Sequence, residues 1–242
     1  MMKRVVLFAV ALSVSASGWT KPFKSELKNA DADFSYSWSN EVAAVPALVK
    51  RFSADMRTRR AGTVAGGKEF NAARKKMGDA PAGYLHSTAI ETAGQSARLL
   101  SLEIAVANYS GGAHSNYGYD SLLWDRRASR EIKLDDLFIR PAGFAKLTRA
   151  AYCKALDAER LKRREGERLE GEFGQCPPFS DLAIAPVDEE GDGRFERISF
   201  IAAPYTAGPF SEGEYALELP VTRQLMAAIK PLYRASFEPQ RQ

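Results

Sequence analysis

The residues most able to do chemistry lie in one short segment, residues 109–114, where a serine, two glycines and a histidine occur together. Ser110 and His114 are a nucleophile and a base of the types that hydrolases use, and Asp120 is a nearby carboxylate that could assist His114. The surroundings fit hydrolysis poorly, because Ser110 is not in a Gly-x-Ser-x-Gly elbow. The two glycines also lack the lysine of a phosphate-binding loop. A small envelope hydrolase using His114 with Ser110 or Asp120 is therefore the alternative hypothesis.

Two other interpretations of this segment stay open. Gly111 and Gly112 allow positive φ angles or close backbone packing between strands, and His114 can hydrogen-bond across such a turn. The same three residues could instead contact a ligand. A stiff aromatic segment, residues 204–210, supplies Tyr205 and Phe210 as further binding candidates, with packing onto the core as the equal alternative.

The patterns for metals and cofactors are weak. His86 and His114 are the only histidines, so a catalytic zinc would need both of them and a carboxylate. An acidic segment matches the start of a calcium-binding EF-hand loop at four positions, Asp188, Glu190, Asp192 and Gly193. Ser199 stands where that loop requires a bidentate glutamate. We therefore expect a hairpin turn there, no metal site and no cofactor.

The N-terminus has the order of an export signal, in which basic, apolar and small residues follow one another. Lys3 and Arg4 precede an apolar run at residues 5–14, which predicts a signal peptide over residues 1–18. The run is shorter than the roughly 20 residues that span a bilayer, so we expect a soluble periplasmic or secreted protein without a membrane anchor. Without Lys3 and Arg4 the net charge of +4 falls to +2, which does not favour nucleic acid as a partner.

The cysteine content agrees with export. Cys153 and Cys176 are the only two cysteines, and an even pair in an exported protein favours a disulfide. Neither is in a Cys-x-x-Cys motif or has a histidine near it in sequence, so a catalytic thiol is not favoured.

The periodicity of apolar residues predicts an α+β fold, with a mainly antiparallel sheet packed with two or three helices. The predicted strands cover residues 34–38, 84–93, 100–106, 117–124, 132–134, 182–187, 195–202 and 215–219. Residues 100–106 alternate in the manner of a half-buried strand. Helical spacing covers residues 41–56, 69–77, 143–164 and 222–233, with Asn40 as the first N-cap and a break at residues 62–67.

The order of these signatures resembles a PdaC-like domain followed by an RsiV-like C-terminal domain. The matching segments are residues 109–114, 134–138, 188–193 and 204–209. The resemblance implies domains over residues 19–128 and 129–242, packed as one unit, and a place in the cell envelope. Members of the family include the extracellular part of an anti-sigma factor that senses lysozyme by binding it, and an accessory region of peptidoglycan deacetylases.

For this chain the resemblance implies a non-catalytic binding module that recognises a lysozyme-like hydrolase or a peptidoglycan fragment. The candidate binding residues are Gly111, Gly112, His114, Tyr205 and Phe210.

Overall fold

The computed structural model describes residues 21–240, so the predicted signal peptide lies outside the described part of the chain. The fold is α+β, as the periodicity predicted, with a six-stranded sheet and a three-stranded sheet. The larger sheet contains β1 (Phe23–Lys28), β2 (Asp33–Trp38), β3 (Leu85–Gln95), β4 (Leu99–Tyr109), β5 (Asn116–Asp125) and β6 (Arg130–Ile132) in chain order. The smaller sheet contains β7 (Leu182–Val187), β8 (Arg197–Ala202) and β9 (Tyr215–Pro220).

The strands pair antiparallel except for β2 and β3, which are parallel and are joined by a long helical crossover. Edge strand β1 was not predicted from the sequence. Its outward positions carry alternating charges, Lys24, Glu26 and Lys28, which hide the apolar pattern. Charged residues on an edge strand also discourage pairing with another chain, so the pattern that hid the strand suits its position.

The helices are α1 (Asn40–Ala43), α2 (Pro46–Lys76), α3 (Gly143–Arg163), α4 (Arg223–Ala228) and α5 (Pro231–Arg234). The predicted break at residues 62–67 is wrong, because α2 continues through it. A Cβ at Gly67 would overlap the carbonyl oxygen of Asp31, so this glycine lets α2 approach the loop before β2. The close contact offsets the poor helix propensity of glycine.

Two helix boundaries also differ from the prediction. Ser39, rather than Asn40, caps α1, since its Oγ accepts a hydrogen bond from the backbone N–H of Val42 at 3.4 Å. The predicted helix over residues 222–233 is interrupted at Ile229, and the N–H of Lys230 donates instead to the carbonyl oxygen of Leu137 at 2.8 Å. Proline at the first position of the next helix, α5, fits this break.

The larger sheet is covered on both faces over part of its area. One face packs against α2 and buries a core of Phe34, Tyr36, Trp38, Leu48, Phe52, Ile90, Leu100, Leu102, Leu122 and Trp124. The other face packs Leu99, Leu123 and Ile132 against α3 and the smaller sheet. The first half of β4 is therefore buried on both faces, and the predicted half-buried pattern holds only for its second half.

The predicted disulfide is present: Cys153 of α3 is joined to Cys176 in the loop that follows the helix. Its presence is compatible with an oxidising, extracytoplasmic environment. Over residues 21–240, every helix is too short or too polar to cross a membrane.

Candidate functional site

Two of the segments singled out in the sequence meet at the surface. The loop between β4 and β5 places the His114 ring on Phe210, with centroids 3.5 Å apart and planes 14° apart. Phe210 belongs to the connector between β8 and β9, residues 203–214. Tyr205 of the same connector lies 5.7 Å from Phe210, and Tyr117 of β5 lies 6.2 Å from Phe210, between ring centroids. These four residues, His114, Tyr117, Tyr205 and Phe210, form what we call the aromatic surface.

The aromatic surface is accessible to solvent. Tyr117 is 48% exposed and Tyr205 is 52% exposed, while His114 and Phe210 are half-buried. Single exposed apolar residues are ordinary, but exposed apolar residues grouped in one patch are typical of interaction sites. The four rings therefore offer a contiguous area for stacking and apolar contact.

His114 uses both ring nitrogens within this surface. Its Nδ1 lies 3.0 Å from the carbonyl oxygen of Ser115, and its Nε2 lies 3.3 Å from the hydroxyl of Tyr205. A carbonyl oxygen only accepts hydrogen bonds, so Nδ1 carries the proton and donates to Ser115. Nε2 then accepts from the Tyr205 hydroxyl, which ties the two segments together.

The hydrolase pairing is not formed in this structure. Over residues 21–240, neither Ser110 nor Asp120 is a hydrogen-bond partner of His114. The Asp120 carboxylate instead accepts from the backbone N–H of Ser121 at 2.7 Å.

The two glycines shape the loop that carries His114. Gly111 has a φ of +97° and Gly112 a φ of +109°, values that favour glycine. A Cβ at Gly111 would also lie 2.7 Å from the ring of Phe70 on α2. The Tyr109 hydroxyl donates to the carbonyl oxygen of Gly112 at 3.2 Å and closes the turn. The glycines thus position His114 through the backbone.

Tyr205 holds an unfavourable backbone conformation. Its φ is +72°, in the left-handed region that residues other than glycine rarely adopt. Its N–H donates to the carbonyl oxygen of Gly208 at 3.0 Å, so the turn around Tyr205 is closed on itself. Strain of this kind persists where the surrounding structure enforces it, and it is concentrated at functional sites.

Arginines at the end of α3 enforce the conformation of the connector. Arg160 is 3% exposed, and its Nε donates to the carbonyl oxygen of Ala207 at 2.9 Å. Arg164 makes two parallel hydrogen bonds of 2.8 Å to the Glu212 carboxylate. Paired hydrogen bonds between arginine and a carboxylate fix geometry as well as distance. The connector is therefore held at both sides of Phe210.

The charges around Glu212 follow from these contacts. The Arg164 guanidinium hydrogen-bonds the Glu212 carboxylate and holds the pKa of Glu212 below its ordinary value. Burial, together with a hydrogen bond to Glu212, raises the pKa of Tyr215. Glu212 is therefore ionised and serves as an anchor for the connector.

The disulfide belongs to the same network. Arg160 also donates through Nη2 to the carbonyl oxygen of Gln175, at 2.9 Å, and Gln175 adjoins Cys176. Arg149 donates to the carbonyl oxygen of Cys176 itself, at 2.9 Å. One buried guanidinium thus bridges the disulfide-bonded loop and the connector that carries Tyr205 and Phe210.

The structure brings His114, Tyr205 and Phe210 together and places Gly111 and Gly112 behind them. Tyr117 is a member of the aromatic surface that the sequence did not single out. The available signal was strand alternation, which puts Tyr117 and Tyr119 on the same sheet face, opposite Ala107 and Ala105. The arginines of α3 carried no such signal, because a basic helix face is usually solvated.

Known proteins resemble this chain in fold. No family model matches the sequence, and no curated protein matches it. The crystal structure of a DUF3298 family protein from Pseudomonas aeruginosa PAO1 matches with a TM-score of 0.54 at 19% identity, over 91% of this chain and 96% of that chain. That of a DUF3298 member from Bacteroides fragilis NCTC 9343 matches with a TM-score of 0.45 at 18% identity, over 89% and 93%. The first likeness supports the α+β fold and is compatible with a PdaC-like and RsiV-like chain.

Proposed function

We propose that this protein is a non-catalytic binding module of the cell envelope that engages its partner through the aromatic surface. The observation that carries the proposal is the contact of His114 with Tyr205 and Phe210, which joins segments 91 residues apart in the chain. Aromatic side chains bury a large area and have few rotatable bonds, so they bind at low entropic cost. A backbone fixed in advance lowers that cost further.

The shape of the surface favours a concave partner. Tyr205 lies on a closed turn and is 52% exposed, and a partner with a cleft would bury more of its ring than a flat surface would. Lysozyme-like hydrolases have such a cleft for their substrate, and the family resemblance suggests this class of partner. We therefore propose a lysozyme-like hydrolase as the partner.

Calorimetric titration tests the proposal. We expect the protein to bind lysozyme and the Tyr205→Ala and Phe210→Ala variants to bind at least tenfold more weakly, about 1.4 kcal/mol or more. Leu232→Ala is the matched control, because Leu232 is a similarly exposed apolar residue on α5, and its binding should equal that of the unaltered protein.

Three results would contradict the proposal. Binding of soluble peptidoglycan fragments without binding of lysozyme would replace the proposed partner. Unchanged affinity in Tyr205→Ala would remove the aromatic surface from recognition. Cleavage of peptidoglycan that is lost in a folded His114→Ala variant would make the protein the alternative, a hydrolase.

Export to the periplasm or the medium is part of the proposal. The disulfide and the basic and apolar leader both support it. The mass of the protein purified from its own cells should match a chain cleaved near residue 18. An intact Met1 on the purified protein would contradict export by this route.

A further inference from the structure

The outer side of α2 carries a row of basic residues that the proposed function does not use. The helix has nine basic residues and two acidic ones. Chain totals of 34 basic and 30 acidic residues leave 25 basic and 28 acidic residues elsewhere, so the weak overall charge of +4 conceals a basic helix on an acidic remainder. We give the name basic stripe to five of these residues, Lys50, Arg57, Arg60, Lys68 and Lys75.

The basic stripe follows one side of the helix. At about 3.6 residues per turn, its members fall within an arc of about 80°, and the first and last are about 38 Å apart along the helix axis. All five residues are exposed, while other positions of α2, among them Leu48 and Phe52, pack on the larger sheet. The stripe is therefore a long, narrow and accessible line of positive charge.

The charge of the stripe is not neutralised within residues 21–240, where none of its members forms an ion pair with a carboxylate. Other basic residues of α2 do form such pairs, namely Arg51, Arg59 and Arg74. Asp55, one of the two acidic residues of the helix, accepts a hydrogen bond from the Tyr36 hydroxyl of β2 at 2.9 Å. Like charges three residues apart, such as Arg57 and Arg60, repel each other on a helix. The stripe is thus left available for an anionic partner.

We propose that the basic stripe adsorbs the protein on an anionic phospholipid membrane. A helix of 31 residues in the outer layer of the fold can lie along a flat surface, so that all five cations reach lipid phosphates together. Each Lys or Arg close to an anionic leaflet contributes about a fivefold gain in affinity. Adsorption of this kind depends on charge complementarity and needs no membrane-spanning segment.

An exposed methionine at the end of the stripe favours a lipid surface over a soluble polyanion. Met77 follows α2, two residues after Lys75, and is 70% exposed, more than any other large apolar residue of residues 21–240. An apolar side chain beside basic ones can enter the boundary between lipid headgroups and acyl chains, which a soluble polyanion does not offer. The aromatic surface lies on elements other than α2, so the membrane and the proposed protein partner use different parts of the molecule.

Co-sedimentation of the exported protein with lipid vesicles tests the proposal. At about 50 mM NaCl we expect binding to phosphatidylcholine vesicles that contain about 30% phosphatidylglycerol, no binding to pure phosphatidylcholine vesicles, and loss of binding at about 500 mM NaCl. A Lys68→Gln/Lys75→Gln variant should bind at least tenfold more weakly. Lys146→Gln/Lys154→Gln is the matched control, because it makes the same change at two exposed lysines of α3 and should bind as the unaltered protein does.

Several outcomes would overturn the proposal. One is the absence of binding at low salt, and another is equal binding to vesicles with and without phosphatidylglycerol. Equal affinity in the two double variants would remove the basic stripe from adsorption. Binding to heparin without binding to the anionic vesicles would make the partner a soluble polyanion. Since the measurement needs no protein partner, failure of the lysozyme experiment leaves this result intact.

Discussion

Two aromatic clusters in this molecule have similar ring contacts and different surroundings. In the core, Phe200 lies 4.9 Å from Tyr152 and 5.9 Å from Phe144, between ring centroids, and is fully buried. On the aromatic surface, the corresponding distances run from 3.5 to 6.2 Å, but the rings are partly free. The core cluster is stabilised by the burial of apolar surface. The surface cluster is instead positioned by the glycines of its loop and by the arginines that hold the connector. Ring contacts alone therefore do not separate the aromatics of the core from those of the proposed binding surface.

The sharpest test of this contrast compares Phe200→Ala with Phe210→Ala. Phe200→Ala should lower the free energy of unfolding by about 3–5 kcal/mol, because it leaves a cavity in a closed core. Phe210→Ala should cost about 1 kcal/mol, since solvent can fill the space beside a half-buried ring. Urea unfolding measures both values. Equal losses would show that the aromatic surface is part of the core.

The disulfide should link the two clusters. Replacing Cys153 and Cys176 by serine should cost about 3 kcal/mol, because the separation of 23 residues closes a loop of moderate length. Through Arg160 it should also loosen the connector, so the backbone amide of Tyr205 should exchange its hydrogen faster. Unchanged exchange at Tyr205, measured by mass spectrometry, would separate the disulfide from the aromatic surface.

The two histidines differ in the same way, since His86 is buried and His114 belongs to the aromatic surface. His86 is buried, hydrogen-bonds Asn108 and Thr88, and stacks on Phe34. Burial lowers the pKa of His86 below its ordinary 6.5. Below pH 6.5 the unfolded chain then binds more protons, so stability from His86 is complete above pH 6.5 and is lost as the pH falls through the folded-state pKa.

Two histidine variants test whether His86 causes this loss of stability at acid pH. His86→Gln should remove that part of the acid-side loss of stability, and His114→Gln should retain it. Thermal unfolding between pH 7.5 and about 5 measures the difference. The same acid-side loss in His86→Gln as in the unaltered protein would contradict the assignment.

The smallest effect on stability should come from Tyr205→Gly, and it should have the opposite sign. Glycine adopts a φ of +72° without strain, so the change should leave stability unchanged or raise it by about 0.5–1 kcal/mol. The same change should abolish partner binding, because the exposed ring is lost. A clear loss of stability in urea unfolding would show that the Tyr205 ring is structural.

The sequence predicted the α+β fold and most of the strands, because one buried face leaves a clear alternation in the chain. It could not decide what the glycines at residues 62–67 do, since glycine can end a helix or let it approach another backbone. Five candidate site residues could be named from the sequence, Gly111, Gly112, His114, Tyr205 and Phe210. Nothing local indicated that His114 meets Phe210, because that contact depends on how the smaller sheet packs. Arg160 was missed for the same reason: only the folded chain shows that it is buried.

Strand β4 has a further consequence for how the chain unfolds. Its consecutive residues Leu99 and Leu100 belong to different cores, one against α3 and the smaller sheet and one against α2. We therefore propose that the two predicted domains, joined near residue 128, form one cooperative unit. Calorimetry should give a single transition whose van't Hoff and calorimetric enthalpies agree, and neither half should fold alone. Two separable transitions would show that the boundary is also an energetic one.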